Sequence, residues 1–159
     1  MTAATPPLLR RAQRDDAEAI TCLTLRSKRH WGYSEAFMTA MTPDLTITSA
    51  DLRVAADRVE VLEAEGDLLG FFRLQRRTEL AFLEDLFIDP PAMGQGYGQR
   101  LFLRAADLAR GWGLGVMEFE SDPFAEPFYL RLGAKRVGMS PSALLPGRSI
   151  PLMRYALLG

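Results

Sequence analysis

Cysteine and histidine are the scarcest reactive residues in this sequence of 159 residues, which contains one of each. A single cysteine, Cys22, cannot form an internal disulfide, and its place in a helical apolar pattern predicts a buried, inert thiol in a reducing compartment. A single histidine, His30, excludes a metal site built from several histidines, and we expect no bound metal. The scarcity of both residues therefore points away from disulfide scaffolds and histidine-based metal centres.

The sequence also lacks long apolar runs and any excess of one charge. It has 19 basic and 20 acidic residues, so no strong overall field would attract nucleic acid or an anionic membrane. No stretch reaches the length of about 18 apolar residues that spans a bilayer, and the opening MTAATPPLLRRAQRDD has no signal-peptide core. We therefore expect a cytoplasmic protein with small-molecule partners, without nucleic acid or membrane binding.

The spacing of apolar residues predicts a single domain over residues 1–159, because 48% of the chain is hydrophobic and can form one core. Helical spacing runs from about Asp15 to Lys28, and again from Leu101 to a helix end at Gly111. Alternation between Arg58 and Ile88 predicts strands, the first two joined as an antiparallel hairpin. A further strand, a short helix and closing strands follow. This order predicts a mixed α/β fold with one central sheet flanked by helices.

Three glycines, Gly94, Gly96 and Gly98, separate a predicted strand from the following amphipathic helix. A helix N-terminus offers free N–H groups and partial positive charge, and glycines let the backbone approach an anion, so this arrangement is suited to holding phosphate. The Walker pattern fails because no Lys-Ser/Thr pair follows, and the dinucleotide pattern fails because Gln99 replaces its third glycine. The alternative is a tight turn without a ligand.

The glycine segment carries a family resemblance. FIDPPAMGQGYGQRLFLRAADLA resembles the acyl-CoA pyrophosphate loop of the GNAT superfamily of N-acetyltransferases. Gly96 and Gly98 match the two small residues of its Arg/Gln-x-x-Gly-x-Gly/Ala pattern, whereas Met93 stands where the family has Arg or Gln. That family position mainly offers its backbone N–H, so the resemblance survives the substitution.

A second motif of the same family is matched downstream by VMEFESDPFAEPFYLRLGAKRVG. Asp122 falls on an Asn-like position, Ala125 on the family alanine, Phe128–Tyr129 on an aromatic–tyrosine pair and Gly133 on a glycine. Two motifs in the same order and separation are more specific than either alone. The resemblance extends in element order over nearly the whole chain.

The resemblance implies a fold, a cofactor and a binding site. It implies a mostly antiparallel sheet of about six to seven strands with helices on its faces, in which strands 4 and 5 splay around acetyl-CoA. Arg100 and Arg104 could add positive charge near the phosphates, or form a solvated helix face. The residues implied to bind the cofactor are Leu86, Phe87, Ile88, Met93, Gly94, Gln95, Gly96, Tyr97, Gly98, Gln99, Asp122, Ala125 and Phe128.

The same resemblance implies acetyl transfer to an amine, with Tyr129 as the general acid for the departing thiolate; helical periodicity alone would pack this side chain in the core. For the base we favour Glu84 over Asp85, since both interrupt an apolar strand and Glu84 shares the alternation of Leu86 and Ile88. A solvated sheet edge, with a water chain as base, is the alternative.

Acceptor recognition is predicted around the glycine break at Gly32, where His30, Trp31 and Tyr33 cluster. Arg148, in a later loop that begins near Ser140, would suit a carboxylate on the acceptor; a plain surface loop is the alternative. We expect a small-molecule amine as substrate and a homodimer as assembly. A protein or peptide N-acetyltransferase, or a regulatory acyl-CoA-binding domain without turnover, remain the other interpretations.

Overall fold

The computed structural model describes residues 5–142 and 147–158, and all structural statements concern those residues. The strands are β1 (Leu8–Arg11), β2 (Asp57–Ala64), β3 (Asp67–Arg76), β4 (Ala81–Ile88), β5 (Val116–Glu120), β6 (Lys135–Pro141) and β7 (Ser149–Ala156). The helices are α1 (Ala17–Arg29), α2 (Glu35–Leu45), α3 (Tyr97–Gly111) and α4 (Glu126–Arg131).

The strands form one seven-stranded sheet in the order β1-β2-β3-β4-β5-β7-β6. Neighbouring strands are antiparallel except β4 and β5, which are parallel. The predicted hairpin is formed by β2 and β3, and its turn places Glu65 and Gly66 at φ values of 54° and 86°, the left-handed pair typical of tight hairpins. The mixed, mostly antiparallel fold predicted from the sequence is therefore confirmed.

Helices cover both faces of the sheet because side chains alternate along β2 and β3. On one face, Leu62, Phe72 and Leu74 pack with Leu101 and Phe102 of α3. On the other face, the apolar cluster joins Ile20 and Leu23 of α1 to Val59, Val61 and Phe71 of the sheet. The sheet between these two layers sets the relative positions of α1, α3 and the strand ends.

Several local predictions were wrong. Cys22 is exposed rather than buried, because it lies on α1 between the buried Ile20 and Leu23 and points away from the sheet. The left-handed residue after α3 is Gly113 (φ 81°) rather than Gly111, which still belongs to the helix. Strand β1, at the edge of the sheet, was not predicted. No helix within the described ranges is both long and apolar enough to cross a membrane.

Candidate active site

A cleft opens where the parallel strands β4 and β5 separate. They pair only through Ala81 with Met117 and Phe82 with Glu118. Beyond Phe82, the edge of β4 that faces β5 has no strand partner among the described residues, and a cleft of about 910 Å³ lies there. The cleft therefore exposes unpaired backbone N–H and C=O groups of β4, to which an extended ligand can add as a strand does.

The glycine loop forms one end of this cleft. Gly94 and Gly96 have φ values of 79° and 85°, and a Cβ on either would meet no atom within 4 Å. Their glycine identity thus reflects left-handed backbone, which alanine adopts only at a cost. Helix α3 begins directly after Gly96, and no side chain caps its N-terminus and no acidic residue lies in its first turn. The first N–H groups of α3 are therefore available to an anion.

Gly98 is constrained differently. A Cβ there would lie 3.1 Å from Cζ of Phe128, which is closer than ordinary carbon contacts. The missing side chain lets the first turn of α3 pack against α4. Met93, the residue that departs from the family pattern, lines the cleft and donates its backbone N–H to the Pro90 carbonyl over 3.2 Å. Its N–H is consequently used within the loop itself.

A β-bulge in β4 places two carboxylates in the cleft. Leu74 of β3 pairs with Leu83, whereas the adjacent Arg73 pairs with Asp85, so Glu84 is the extra residue. Leu83 before the bulge and Leu86 after it both contact the α3 side of the core. The regular alternation assumed from the sequence is therefore wrong at this point. Both Glu84 and Asp85 line the cleft.

The two carboxylates differ in environment. Asp85 is half-buried, and its carboxylate accepts no hydrogen bond from the described residues. Burial raises the pKa of Asp85 to about 7, and Arg73 across the strand pair offsets only part of this. Glu84 is more exposed and lies 3.4 Å from an Arg77 guanidinium nitrogen. Burial also raises the pKa of Glu84. A carboxylate that titrates near neutral pH suits proton abstraction at that pH.

Tyr129 lies at the other wall of the cleft, on α4, and is 7% exposed. Its ring packs 4.5 Å from Phe119 and 5.0 Å from Phe128, measured between ring centroids. Its hydroxyl donates to no described residue. Burial, with smaller contributions from Asp122 and Asp85, raises the pKa of the phenol. The hydroxyl therefore stays protonated at neutral pH and can donate a proton or hydrogen bond into the cleft.

Asp122 links three elements around the cleft mouth. Its carboxylate accepts hydrogen bonds from the Lys28 ammonium (2.5 Å), the Tyr33 hydroxyl (2.8 Å) and the backbone N–H of Phe124 (2.9 Å). These bonds, the Lys28 charge above all, outweigh burial and lower the pKa of Asp122. The carboxylate thereby ties α1 and the loop after it to the loop between β5 and α4.

An aromatic group with one arginine, here called the acceptor cluster, adjoins this junction; its members are Trp31, Tyr33, Phe37, Phe124 and Arg148. Trp31 and Phe124 stack with centroids 5.6 Å apart, and Tyr33 and Phe37 with centroids 4.1 Å apart. Phe124 also meets Tyr33 edge to face at 5.8 Å. The Arg148 guanidinium lies 4.8 Å from the Phe37 centroid and donates to the Tyr33 hydroxyl over 2.9 Å.

Most residues predicted for the site line this cleft. They are Trp31, Glu84, Leu86, Phe87, Ile88, Met93, Gly94, Gly96, Tyr97, Gly98, Gln99, Asp122, Ala125, Phe128, Tyr129 and Arg148. His30 and Tyr33 are not on its walls, although Tyr33 contacts Asp122, Phe124 and Arg148, which are, and Gln95 lines a different cavity. Part of the predicted acceptor loop, residues 143–146, lies outside the described residues.

Sequence reasoning missed Phe37 and Phe124 and the Lys28–Asp122 ion pair. Phe124 lies inside the second motif, between Asp122 and Ala125. An aromatic residue at that place in the motif was the sequence signal that could have identified it as a site residue. The two helix arginines serve other contacts: Arg104 forms an ion pair with Glu60 (2.9 Å), and Arg100 donates to the Pro7 carbonyl (3.1 Å). Neither lines the cleft.

Residues 19–134 of this chain match the sequence model of the family described as the acetyltransferase (GNAT) family. No curated protein matches the sequence. The chain is similar in structure to the PaiA N-acetyltransferase of Thermoplasma acidophilum in complex with coenzyme A, with a TM-score of 0.79, 16% identity and coverage of 96% of this chain and 99% of that one.

Two further solved structures are similar. For the ribosomal-protein-S18-alanine N-acetyltransferase of Escherichia coli the TM-score is 0.70 at 17% identity, covering 95% of this chain and 94% of that one. For an aminoglycoside 6'-N-acetyltransferase complexed with coenzyme A the TM-score is 0.71 at 14% identity, covering 96% of this chain and 98% of that one. At such identities the likeness establishes the shared fold.

Proposed function

The chain belongs to the acetyltransferase (GNAT) family, and on this premise we propose that it acetylates the primary amine of a small molecule in the cytoplasm. As a member of that family it is an acetyl-CoA-dependent N-acetyltransferase. The observation that carries the proposal is the cleft itself, where an unpaired strand edge, an uncapped helix N-terminus, two carboxylates and a buried tyrosine converge. The size of the cleft is in the range of small-molecule sites.

The residues present fit acetyl-CoA. Free N–H groups at the start of α3 and the open space beside Gly94 and Gly96 suit a pyrophosphate. The unpaired edge of β4 from Leu86 to Ile88 suits the amide groups of the pantetheine arm. Acetyl-CoA, when bound, supplies a thioester that an amine attacks and a thiolate that leaves.

The carboxylates of β4 are proposed to remove the proton of the amine. Asp85 has the deeper position and a pKa raised to about 7, so near neutral pH it can accept a proton at its carboxylate oxygen. Glu84, which the sequence favoured, reaches the same cleft from the bulge and interacts with Arg77.

Tyr129 is proposed to donate its Oη proton toward the departing sulfur. Its raised pKa keeps the proton in place until it is needed. Burial in the same cleft raises the proton affinity of a thiolate as well, because a low-dielectric environment disfavours any anion. The two proton affinities are thereby brought closer than in water.

Replacing Tyr129 with phenylalanine tests this assignment. We expect kcat to fall by about a hundredfold or more, the size of a lost general acid, while the Kd for acetyl-CoA stays nearly unchanged. Tyr155→Phe is the matched control, since Tyr155 packs on Phe102 at 4.9 Å and does not line the cleft. Unchanged turnover with weakened acetyl-CoA binding would show that Tyr129 only packs against the cofactor.

Glu84→Gln and Asp85→Asn separate the two candidate bases. The variant that removes the base should lose the acidic limb of the pH profile of kcat/KM and most of the activity, whereas the other should keep both. Profiles left intact in both variants would assign proton removal to water. A chain that binds CoA but acetylates no amine would instead support the regulatory interpretation.

A homodimer is also proposed. Strand β6 is at the edge of the sheet, and Val137 and Met139 on it are exposed. Such an edge can pair with a second copy. Sedimentation equilibrium across a range of protein concentrations tests this, and a monomer throughout would contradict it.

A further inference from the structure

The acceptor cluster contains a positioned cation whose charge has no partner among the described residues. Arg148 lines the cleft just before β7 and is half-buried. Its guanidinium is held by the Phe37 and Tyr33 rings, at 4.8 Å and 5.3 Å, and by the single hydrogen bond to Tyr33. The side chain is therefore fixed in orientation without having its charge neutralised.

Two other cations along the cleft are paired with carboxylates, whereas Arg131, which has no ion pair among the described residues, is exposed. Lys28 is paired with Asp122 and Arg73 with Asp57, at 2.5 Å and 2.7 Å. Arg148 forms no ion pair with a described carboxylate, and its Nε and Nη1 donate to no described residue. A planar guanidinium with free donors and a fixed orientation is suited to a two-oxygen anion, above all a carboxylate.

The same cleft carries charge of the opposite sign on its β4 wall. Glu84 and Asp85 line it there, and the Asp85 carboxylate has no hydrogen-bond partner among the described residues. A protonated amine is attracted to this wall and loses its proton there, while an anionic group is attracted to Arg148, just before β7. Asp44 of α2 also lines the cleft. Groups of both charges therefore line one cleft, as the binding of a zwitterion requires.

An exposed aromatic pair supplies the third contact. Trp31 and Phe124 stack nearly parallel and are 36% and 54% exposed, although both line the cleft. Covering large water-exposed rings with an apolar part of a ligand is favourable, because apolar surface is removed from water. Phe124 contacts Tyr33, which contacts Arg148, so the rings and the guanidinium form one continuous surface.

We infer that the acceptor is an amino acid or close analogue with a free carboxylate bound by Arg148 and a large apolar side chain covering Trp31 and Phe124. This inference depends on the proposed function, because the acceptor amine must reach the acetyl donor in the same cleft. It excludes peptide N-termini as preferred acceptors, since a peptide bond replaces the carboxylate. It also excludes polyamines, which lack any anion.

A panel of acceptors tests the inference with acetyl-CoA as donor. The panel contains phenylalanine and methionine, their primary amides, 2-phenylethylamine, a phenylalanyl dipeptide amide, spermidine and phosphoethanolamine. We expect kcat/KM to be about tenfold or more higher for the two amino acids than for their amides, the size of a hydrogen bond to a charged group. Phosphoethanolamine separates a general anion site from a carboxylate site.

Arg148→Gln should remove that preference. We expect kcat/KM for the amino acids to fall about tenfold or more, while the value for the amides stays within about twofold. Arg131→Gln is the matched control, because Arg131 also lines the cleft but is exposed and contacts no aromatic ring among the described residues. Retained activity of Arg148→Gln on the amides shows that the variant is folded.

The outcomes are distinguishable. Equal use of acids and amides by the unchanged chain, or an equal loss on both substrates in Arg148→Gln, would overturn the inference. Acetylation of 2-phenylethylamine or spermidine without amino acids would overturn it while leaving the proposed function intact, and acetylation of the dipeptide amide alone would favour a peptide N-acetyltransferase instead. Failure of every acceptor, with CoA bound, would overturn both.

Discussion

Replacing Gly96 with alanine separates the backbone conformation of the loop from its contact with an anion. Gly96 has a φ value of 85°, and no atom lies within 4 Å of a Cβ built there. The substitution therefore meets no steric clash, and its cost in the free protein is that of left-handed backbone alone, about 1–2 kcal/mol. Gly113 is a matched position, with a φ value of 81° and the same open surroundings, but it lies beyond the far end of α3.

The two variants should lose similar stability and differ in cofactor binding. Urea unfolding should show a loss of about 1–2 kcal/mol for both Gly96→Ala and Gly113→Ala. If the loop cradles the pyrophosphate, the methyl group and any backbone adjustment at position 96 disturb hydrogen bonds to a charged group, each worth about 1.5–3 kcal/mol. Calorimetry should then show a Kd for CoA raised about tenfold or more in Gly96→Ala and unchanged in Gly113→Ala.

Pantetheine provides the ligand control, because it lacks the pyrophosphate and should bind Gly96→Ala and the unchanged chain equally. The reasoning is refuted if Gly96→Ala binds CoA as tightly as the unchanged chain while showing the stability loss of Gly113→Ala. In that case the glycines would serve the turn alone.

Two further predictions concern buried carboxylates. Glu60→Gln should lower the free energy of unfolding by about 2 kcal/mol at neutral pH, because Glu60 is 2% exposed and hydrogen-bonded to Arg104 and Arg58. Glu35→Gln is the control: it disturbs an exposed ion pair with Arg29 and should lower the free energy of unfolding by less than about 0.5 kcal/mol. Since these arginines lower the pKa of Glu60, the difference should shrink below about pH 4, and a pH-independent difference would contradict it. Asp85 has the opposite sign, because its pKa is raised to about 7. The contribution of this one group to the free energy of unfolding is largest below about pH 4 and is lost as the pH rises from there toward 7, by at most about 4 kcal/mol. Asp85→Asn should remove that loss and unfold at higher urea than the unchanged chain at pH 8, and a less stable variant at that pH would contradict the assignment.

The parts of the site that were predicted from the sequence are local in the chain. The glycine loop follows its strand and precedes its helix within one continuous segment, and the motif from Asp122 to Gly133 is equally short. Such motifs can be recognised in a sequence because particular backbone conformations need particular residues. Gly94 and Gly96, for example, have left-handed φ values that glycine adopts readily. The order of strands and helices follows from periodicity in the same way.

The parts that were missed depend on contacts between distant residues or on a departure from regular geometry. The bulge at Glu84 moves both carboxylates into the cleft, and strict alternation cannot reveal an extra residue. Lys28 meets Asp122 across 94 positions of sequence. Arg104 is drawn to Glu60 on β2 rather than to the loop, because a buried carboxylate requires a charged partner.

The central claim is that the cleft between β4 and β5 brings acetyl-CoA and an amine together for direct transfer. The most direct measurement quantifies CoA thiol and acetylated amine in the same reaction with phenylalanine as acceptor. The account predicts equal amounts of the two products. Both should fall together, by about tenfold, in Gly96→Ala at acetyl-CoA concentrations below the Kd of the unchanged chain and be restored together at saturation. Thiol release without an acetylated product, or no binding of CoA by calorimetry, would contradict it.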